Sequence, residues 1–260
     1  MKIIFWSEFP NKINWKKVKE LFSKYNLKAD IYVACKNLSE YKKWKNKISC
    51  KNIEVGAWPV LSKKHGYWFS GFTSKKDIDK LNSFSGEKIK IDLEIPFPSW
   101  KYSDSKMFLY ILQFFKKGKN NKYLEKTITR LSKTSKILVN EFPFPKFLLK
   151  NTGTHYNIND KIEKNIMLYT TITNKFFKPI LKPYLQNYAR KAVKENKNVT
   201  FSIGLIGKGI LQNEGIYKDI DEFKNDLDFM KTLKSKSVAI YSIDAIMKKP
   251  EEWINLISKY

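Results

Sequence analysis

Cysteine and long apolar runs are scarce in this chain of 260 residues. Its two cysteines, Cys35 and Cys50, are too few for a disulfide framework or for a zinc site made of four cysteines. The apolar runs are far shorter than the roughly 20 residues that cross a bilayer. The first residues, Met1–Glu8, become acidic too early for a secretory signal. We therefore expect a soluble, cytoplasmic protein whose residues 1–260 form one domain.

Arginine is also rare, although the formal net charge is +25. Of the 50 basic residues, two are arginines, Arg130 and Arg190, and the other 48 are lysines. Specific contacts with bases and phosphates favour arginine, because its planar guanidinium donates two hydrogen bonds at once. The lysines are spread over the whole chain, as solvated faces would be. This composition argues against nucleic acid as a partner; the strand-end residues described below favour a small molecule or a glycan as the substrate.

Eight short segments rich in Ile, Val, Tyr and Phe recur along the chain and predict buried strands. They are Ile3–Trp6, Asp30–Cys35, Ile53–Val60, Ile89–Ile95, Ile137–Phe142, Ile166–Ile172, Val199–Ile206 and Val238–Ile243. Segments with helical spacing separate them, such as the stripe of Trp15, Val18 and Leu21. Eight alternating units of this length predict an α/β fold, a single (β/α)8 TIM barrel. An open doubly wound sheet is the alternative, but no glycine-rich turn follows the first strand.

Carboxylates and aromatic residues follow several of the predicted strands, where the active sites of such barrels lie. They are Glu8 after the first strand, Trp58 near the end of the third, Asp92 and Glu94 on the fourth, Glu141 on the fifth, Tyr169 on the sixth, Tyr241 on the eighth and Asp244 directly after it. The loop after the third strand adds Trp68, whose ring face could stack on a sugar. These residues predict a functional site at one rim of the barrel.

The pair Asp92-x-Glu94 is the most informative motif. Residues two apart on a strand point to the same side, so both carboxyl groups should face the barrel interior. Two like charges this close cannot both ionise cheaply, and the pKa of one of them rises. A carboxyl group that stays protonated near neutral pH can act as a general acid on a leaving-group oxygen.

With these motifs the chain resembles chitinase-like enzymes of glycoside hydrolase family 18. The resemblance rests on Gly56-Ala57-Trp58, Asp92-x-Glu94, Met167-x-Tyr169 and Tyr241-Ser242-x-Asp244, which occur in the order of that family. It implies a (β/α)8 barrel in which Glu94 is the acid. It also implies that Asp92 and Tyr169 hold the N-acetyl group of the substrate, which acts as the nucleophile, with no metal and no cofactor. The chain differs from the family pattern in having Glu87 and Lys90 at the two upstream aspartate positions, and Thr170 after Tyr169.

Other functions remain open at this point. Asn140-Glu141 and Glu214 resemble the catalytic pair of other retaining glycosidases, although Asn140-Glu141 comes one strand late. The same strand-end carboxylates, with the loop Gly204–Gly209 as a phosphate cradle, would suit a metal-dependent isomerase, lyase or phosphodiesterase. A non-catalytic barrel that binds carbohydrate or a membrane is the third interpretation.

A basic and aromatic stretch, 174–194, follows the sixth predicted strand. It mixes aliphatic and aromatic residues with cations such as Lys175, Lys178 and Lys182. This mixture is typical of helices that lie on an anionic membrane surface. The alternative is an ordinary barrel helix with its lysines in water.

Overall fold

The computed structural model describes residues 1–101, 103–157, 161–172 and 178–260. Eight parallel strands form a closed barrel in which each strand pairs with the next, and the last pairs with the first. The strands are β1 (Lys2–Ser7), β2 (Ala29–Cys35), β3 (Ile53–Pro59), β4 (Ile89–Asp92), β5 (Ile137–Glu141), β6 (Ile162–Met167), β7 (Thr200–Ile203) and β8 (Ser237–Tyr241). The predicted (β/α)8 TIM barrel is confirmed.

Helices connect successive strands. They are α1 (Trp15–Lys24), α2 (Leu38–Ile48), α3 (Lys75–Asp79), α4 (Asp104–Gln113), α5 (Asn121–Leu131), α6 (Lys146–Thr152), α7 (Lys178–Glu195), α8 (Ile220–Thr232), α9 (Ile243–Ile246) and α10 (Glu252–Ser258). Short 3-10 helices cover Pro10–Lys12, Lys63–His65 and Lys80–Phe84. Side chains cap several helix starts; Asn14, for example, accepts from the backbone N–H of Lys17 at 3.2 Å.

The strands are apolar on both faces because each face packs against a different layer. Phe5 and Ile31 belong to the layer between the barrel and its helices, whereas Trp6 and Tyr32 point into the barrel. Successive residues of a strand point to opposite sides. The side on which a strand-end residue lies therefore decides whether it can reach the site.

Three strands depart most from their predicted bounds, namely β4, β6 and β7, and β7 ends at Ile203 instead of Ile206. β6 lies about four residues before the predicted 166–172, because residues 168–172 form a turn in which the hydroxyl of Thr170 donates to Asp226 at 2.6 Å. β4 ends at Asp92, but the backbone N–H groups of Leu93 and Glu94 still donate to neighbouring carbonyls at 3.0 Å. The extended backbone therefore continues to Glu94.

The basic stretch 174–194 lies mainly on α7. Lys178 pairs with Glu222, and Lys182 lies 3.4 Å from Asp226, so both lysines contact α8. Residues 174–177, including Lys175, lie outside the described residues. In the described ranges, none of the helices combines the length and apolar character that crossing a membrane requires. Contact of this stretch with an anionic membrane stays a prediction.

Candidate active site

A cavity of about 60 Å³ lies at the carboxyl ends of the strands. It is lined by seven of the nine residues predicted for the site, namely Glu8, Trp58, Trp68, Asp92, Glu94, Tyr169 and Tyr241. The cavity also contains Lys90 and Tyr110, which were not predicted to act there, and Asn140 and Glu214, which the sequence indicated only through the alternative retaining pair. The structure thus gathers acidic and aromatic side chains from strands that are distant in sequence.

Asp92 is held firmly at the floor of the cavity. The ammonium group of Lys90 lies 2.9 Å from one carboxylate oxygen and 3.0 Å from the other. The side-chain amide of Asn140, its register neighbour on β5, donates to Asp92 at 2.6 Å. Burial raises the pKa of Asp92, and the positive charge of Lys90 opposes this effect. These contacts fix the orientation of the carboxyl group.

Lys90 is a buried cation with aromatic neighbours. Its ammonium nitrogen lies 3.4 Å from the ring centroid of Trp58 and 4.3 Å from that of Trp6. Such cation–π contacts stabilise a charge that has been removed from water. Burial lowers the pKa of Lys90, while the charge of Asp92 raises it. One ring face of Trp58 is therefore occupied by a cation.

Glu94 is placed differently from Asp92. Its side chain is only 8% exposed, yet its carboxyl group makes no hydrogen bond or ion pair with another described residue. Burial raises the pKa of Glu94 strongly, and the neighbouring charge of Asp92 raises it further. The backbone N–H groups of Leu93 and Glu94 donate to the carbonyls of Asn140 and Phe69, so the carboxyl group is held in the cavity, where burial favours its protonated form.

Glu8 accepts a hydrogen bond from the hydroxyl of Tyr241. Burial raises the pKa of Glu8 to about 7, against the opposing effects of the nearby Tyr241 and Tyr67 hydroxyls. Asp244, which was predicted at the site, does not line the cavity. Its carboxylate accepts from the backbone N–H groups of Glu8 at 2.8 Å and Phe9 at 2.9 Å. Asp244 therefore fixes the loop that carries Glu8.

Glu141, which was also predicted at the site, does not line this cavity. Its carboxylate accepts from the backbone N–H of Tyr156 at 2.7 Å and lies 2.9 Å from Lys164 and 3.2 Å from His155. Adjacent residues of a strand face opposite sides. Since Asn140 faces the cavity, Glu141 points towards the outer layer.

Glu214 reaches the cavity from the loop after β7. Burial raises the pKa of Glu214 to about 8, the charge of Glu8 contributes to this rise, and the backbone N–H of Gly209 donates to the carboxylate at 3.4 Å. The sequence signal for this residue was its position after the seventh strand. Among the described residues, no group of three or more His, Cys, Asp or Glu side chains is arranged to hold a metal ion.

The raised pKa of Glu8 predicts that stability falls as pH rises. Between its ordinary value of 4.5 and about 7, Glu8 is ionised in the unfolded chain but still protonated in the folded protein. The folded state then binds more protons, so the free energy of unfolding decreases by about 3 kcal/mol across this interval. We expect the Glu8→Gln variant to lose this part of the pH dependence in urea denaturation at pH 4.5, 6 and 7.5. If the free energy of unfolding changed equally with pH in the two proteins, Glu8 would not have the raised pKa.

The fold is shared with known glycoside hydrolases. The glycoside hydrolase domain of PgaB (BpsB) from Bordetella bronchiseptica matches with a TM-score of 0.58 and 8% identity, over 98% of each chain. The chitinase ICChI from Ipomoea carnea matches with a TM-score of 0.53 and 11% identity, over 100% of this chain and 99% of that one. Concanavalin B also matches with a TM-score of 0.53 and 11% identity, over 100% of this chain and 98% of that one. The resemblance to chitinase-like barrels is thus confirmed for the fold.

No protein-family model matches the sequence, and no curated protein matches it either.

Proposed function

We propose that the protein is a glycoside hydrolase that cleaves a glycosidic bond by carboxylic acid catalysis at the carboxyl-terminal rim of the barrel. The observation that carries this proposal is the carboxyl group of Glu94, which is buried, free of partners among the described residues and raised in pKa. Such a group can donate its proton to the oxygen of a leaving sugar. The fold that the chain shares with glycoside hydrolases supports the same conclusion.

Asp92 acts beside this acid as an orienting group. The contacts with Lys90 and Asn140 leave it no freedom to turn towards Glu94 and share its proton. By its resemblance to the chitinase-like enzymes, the chain would use Asp92 and Tyr169 to hold an N-acetyl group of the substrate. Tyr241 and Trp68 line the walls of the sugar site.

The cavity must widen before it can bind a sugar ring. A volume of about 60 Å³ corresponds to roughly two water molecules, whereas ligand pockets usually hold about 300 Å³ or more. Ile210, Leu211 and Glu214 close one side of it from the loop after β7. This loop follows the strand as an irregular segment, and such segments move more readily than strands or helices.

A screen of chromogenic glycosides, with and without EDTA, tests the proposed function. We expect turnover that EDTA does not change, because the proton donor is a side chain of the protein. Turnover that EDTA abolishes would instead indicate a metal-dependent barrel enzyme. Binding of glycans without turnover of any glycoside would indicate a carbohydrate-binding barrel, and either result would contradict the proposal.

A further inference from the structure

A second cavity, of about 130 Å³, adjoins the first. The two cavities share six lining residues, which are Met107, Tyr110, Phe142, Met167, Tyr169 and Ile172. The second cavity extends from them between α4, the loop after β5 and α7, where Ile111, Phe144, Leu181 and Leu185 complete its wall. None of the described residues that line it is charged.

The chemistry of this wall excludes a polar ligand. Transferring a polar group to surroundings without hydrogen-bond partners costs several kcal/mol, whereas a hydrocarbon loses no hydrogen bonds there. Tyr184, at the outer end, already uses its hydroxyl to donate to the carbonyl of Pro143 at 2.5 Å. For comparison, an apolar protein cavity of about 150 Å³ binds benzene. The second cavity is therefore suited to a small apolar group.

Tyr110 lies where the two cavities meet. Its hydroxyl is buried and has no hydrogen-bond partner among the described residues. Burial raises the pKa of Tyr110, and the charge of Glu94 adds to this rise. Its ring packs against Phe97 and Phe142, with centroids 5.0 and 5.8 Å away. Buried hydroxyl groups are normally satisfied. The unpaired hydroxyl of Tyr110 therefore fits a ligand whose polar part ends, and whose apolar part begins, at the junction of the two cavities.

The second cavity opens onto an apolar surface. Its lining residues Ile111 and Tyr184 are 38% and 44% exposed. On the same two helices Phe108, Leu112 and Ile180 are also exposed. Exposed apolar clusters on soluble proteins usually mark binding sites. A chain that leaves the catalytic cavity can therefore follow apolar side chains to the surface.

We propose that this second cavity, the chain site, binds the hydrocarbon part of an amphiphilic substrate whose sugar lies in the carboxylate cavity. The inference rests on the proposed function for the identity of the polar part. It names the substrate class as a glycoside with an apolar aglycone, such as an alkyl chain. The six lining residues that the two cavities share place the chain site directly beside the carboxylate cavity, and on this ground we assign the occupant to this substrate.

The test measures binding of neutral chains without any sugar. The fluorophore N-phenyl-1-naphthylamine is bound to the full-length protein and displaced by 1-butanol, 1-pentanol and 1-hexanol. Burial of one methylene group corresponds to about a fourfold gain in affinity. 1-Hexanol has two more methylene groups than 1-butanol, so we expect it to bind about fifteenfold more tightly.

Two variants locate the binding, and one serves as a control. Leu181→Trp narrows the chain site and should weaken hexanol binding about tenfold, while Ile111→Asn at its mouth should weaken it severalfold. Ile216→Asn replaces an isoleucine of similar exposure, 41%, that does not line the chain site, and should leave binding unchanged. Equal effects of Ile111→Asn and Ile216→Asn, or no dependence on chain length, would overturn the proposal.

A further variant separates this proposal from the proposed function. Glu94→Gln should retain hexanol binding, because Glu94 does not line the chain site. Hexanol binding in a protein that hydrolyses no glycoside supports the chain site and rejects the hydrolase. Turnover of simple aryl glycosides without hexanol binding rejects the chain site and leaves the hydrolase in place.

Discussion

The Glu94→Gln variant is expected to hydrolyse glycosides about 10²–10⁴-fold more slowly than the unchanged protein, the range that general acid catalysis contributes. The amide has the shape of the carboxyl group but no acidic proton to give to the leaving oxygen. The loss in kcat should be larger for alkyl glycosides than for p-nitrophenyl glycosides, since p-nitrophenolate leaves without protonation. Initial rates over a range of substrate concentrations measure this difference.

Glu141→Gln is the matched control. Glu141 is likewise a buried glutamate near the end of a strand, but its partners are Lys164, His155 and the backbone N–H of Tyr156. The glutamine oxygen can still accept from Tyr156, so kcat should stay within about twofold of the unchanged protein. If both variants lose activity equally, or Glu94→Gln keeps its activity, the assignment of Glu94 as the acid is wrong.

Lys90→Met is expected to lower the free energy of unfolding by about 3–5 kcal/mol, the usual cost of removing one partner of a buried ion pair. Asp92 would remain only 3% exposed without its cation, and the two indole rings would lose their cation–π contacts. The pKa of Asp92 should rise as well, because the charge of Lys90 no longer opposes the effect of burial. Urea denaturation at pH 7 measures the loss.

The double variant Lys90→Met/Asp92→Asn separates the loss of the ion pair from a general packing defect. Replacing both charges removes the unpaired carboxylate, so the double variant should be more stable than Lys90→Met alone. The side-chain amide oxygen that the second substitution introduces could still accept a hydrogen bond from Asn140. Strictly additive losses in the two single variants and the double variant would show that Lys90 and Asp92 are not coupled.

The barrel was predictable because each strand is followed by a helical stripe, and this alternation is read along the chain without knowledge of contacts. The error in β6 shows the limit of the method. Residues 166–172 have the apolar and β-branched composition of a strand, but Thr170 and Thr171 use their hydroxyls to bind Asp226 and the backbone N–H of Leu205. Those tertiary partners cannot be read from composition.

The site residues were predictable on strands, where residues two apart point to the same side of the sheet. The same period that placed Asp92 and Glu94 on one side also places Lys90 there, so its position in the cavity was available from the sequence. The sequence did not reveal how β5 pairs in register with β4. The pairing of Asp92 with Asn140 turns Asn140 inwards and Glu141 outwards, and register is set by the closed barrel as a whole.

The first and the last strand of the barrel, β1 and β8, meet at the carboxylate cavity. The hydroxyl of Tyr241 donates to Glu8, and Asp244 holds the backbone of Glu8 and Phe9. More than 230 residues separate these partners along the chain. During synthesis on the ribosome, the contacts of Glu8 with Tyr241 and Asp244 can therefore form only after those two residues have been made. The cavity is complete only when β8 pairs with β1, so the contact that closes the barrel also completes the wall around Glu8.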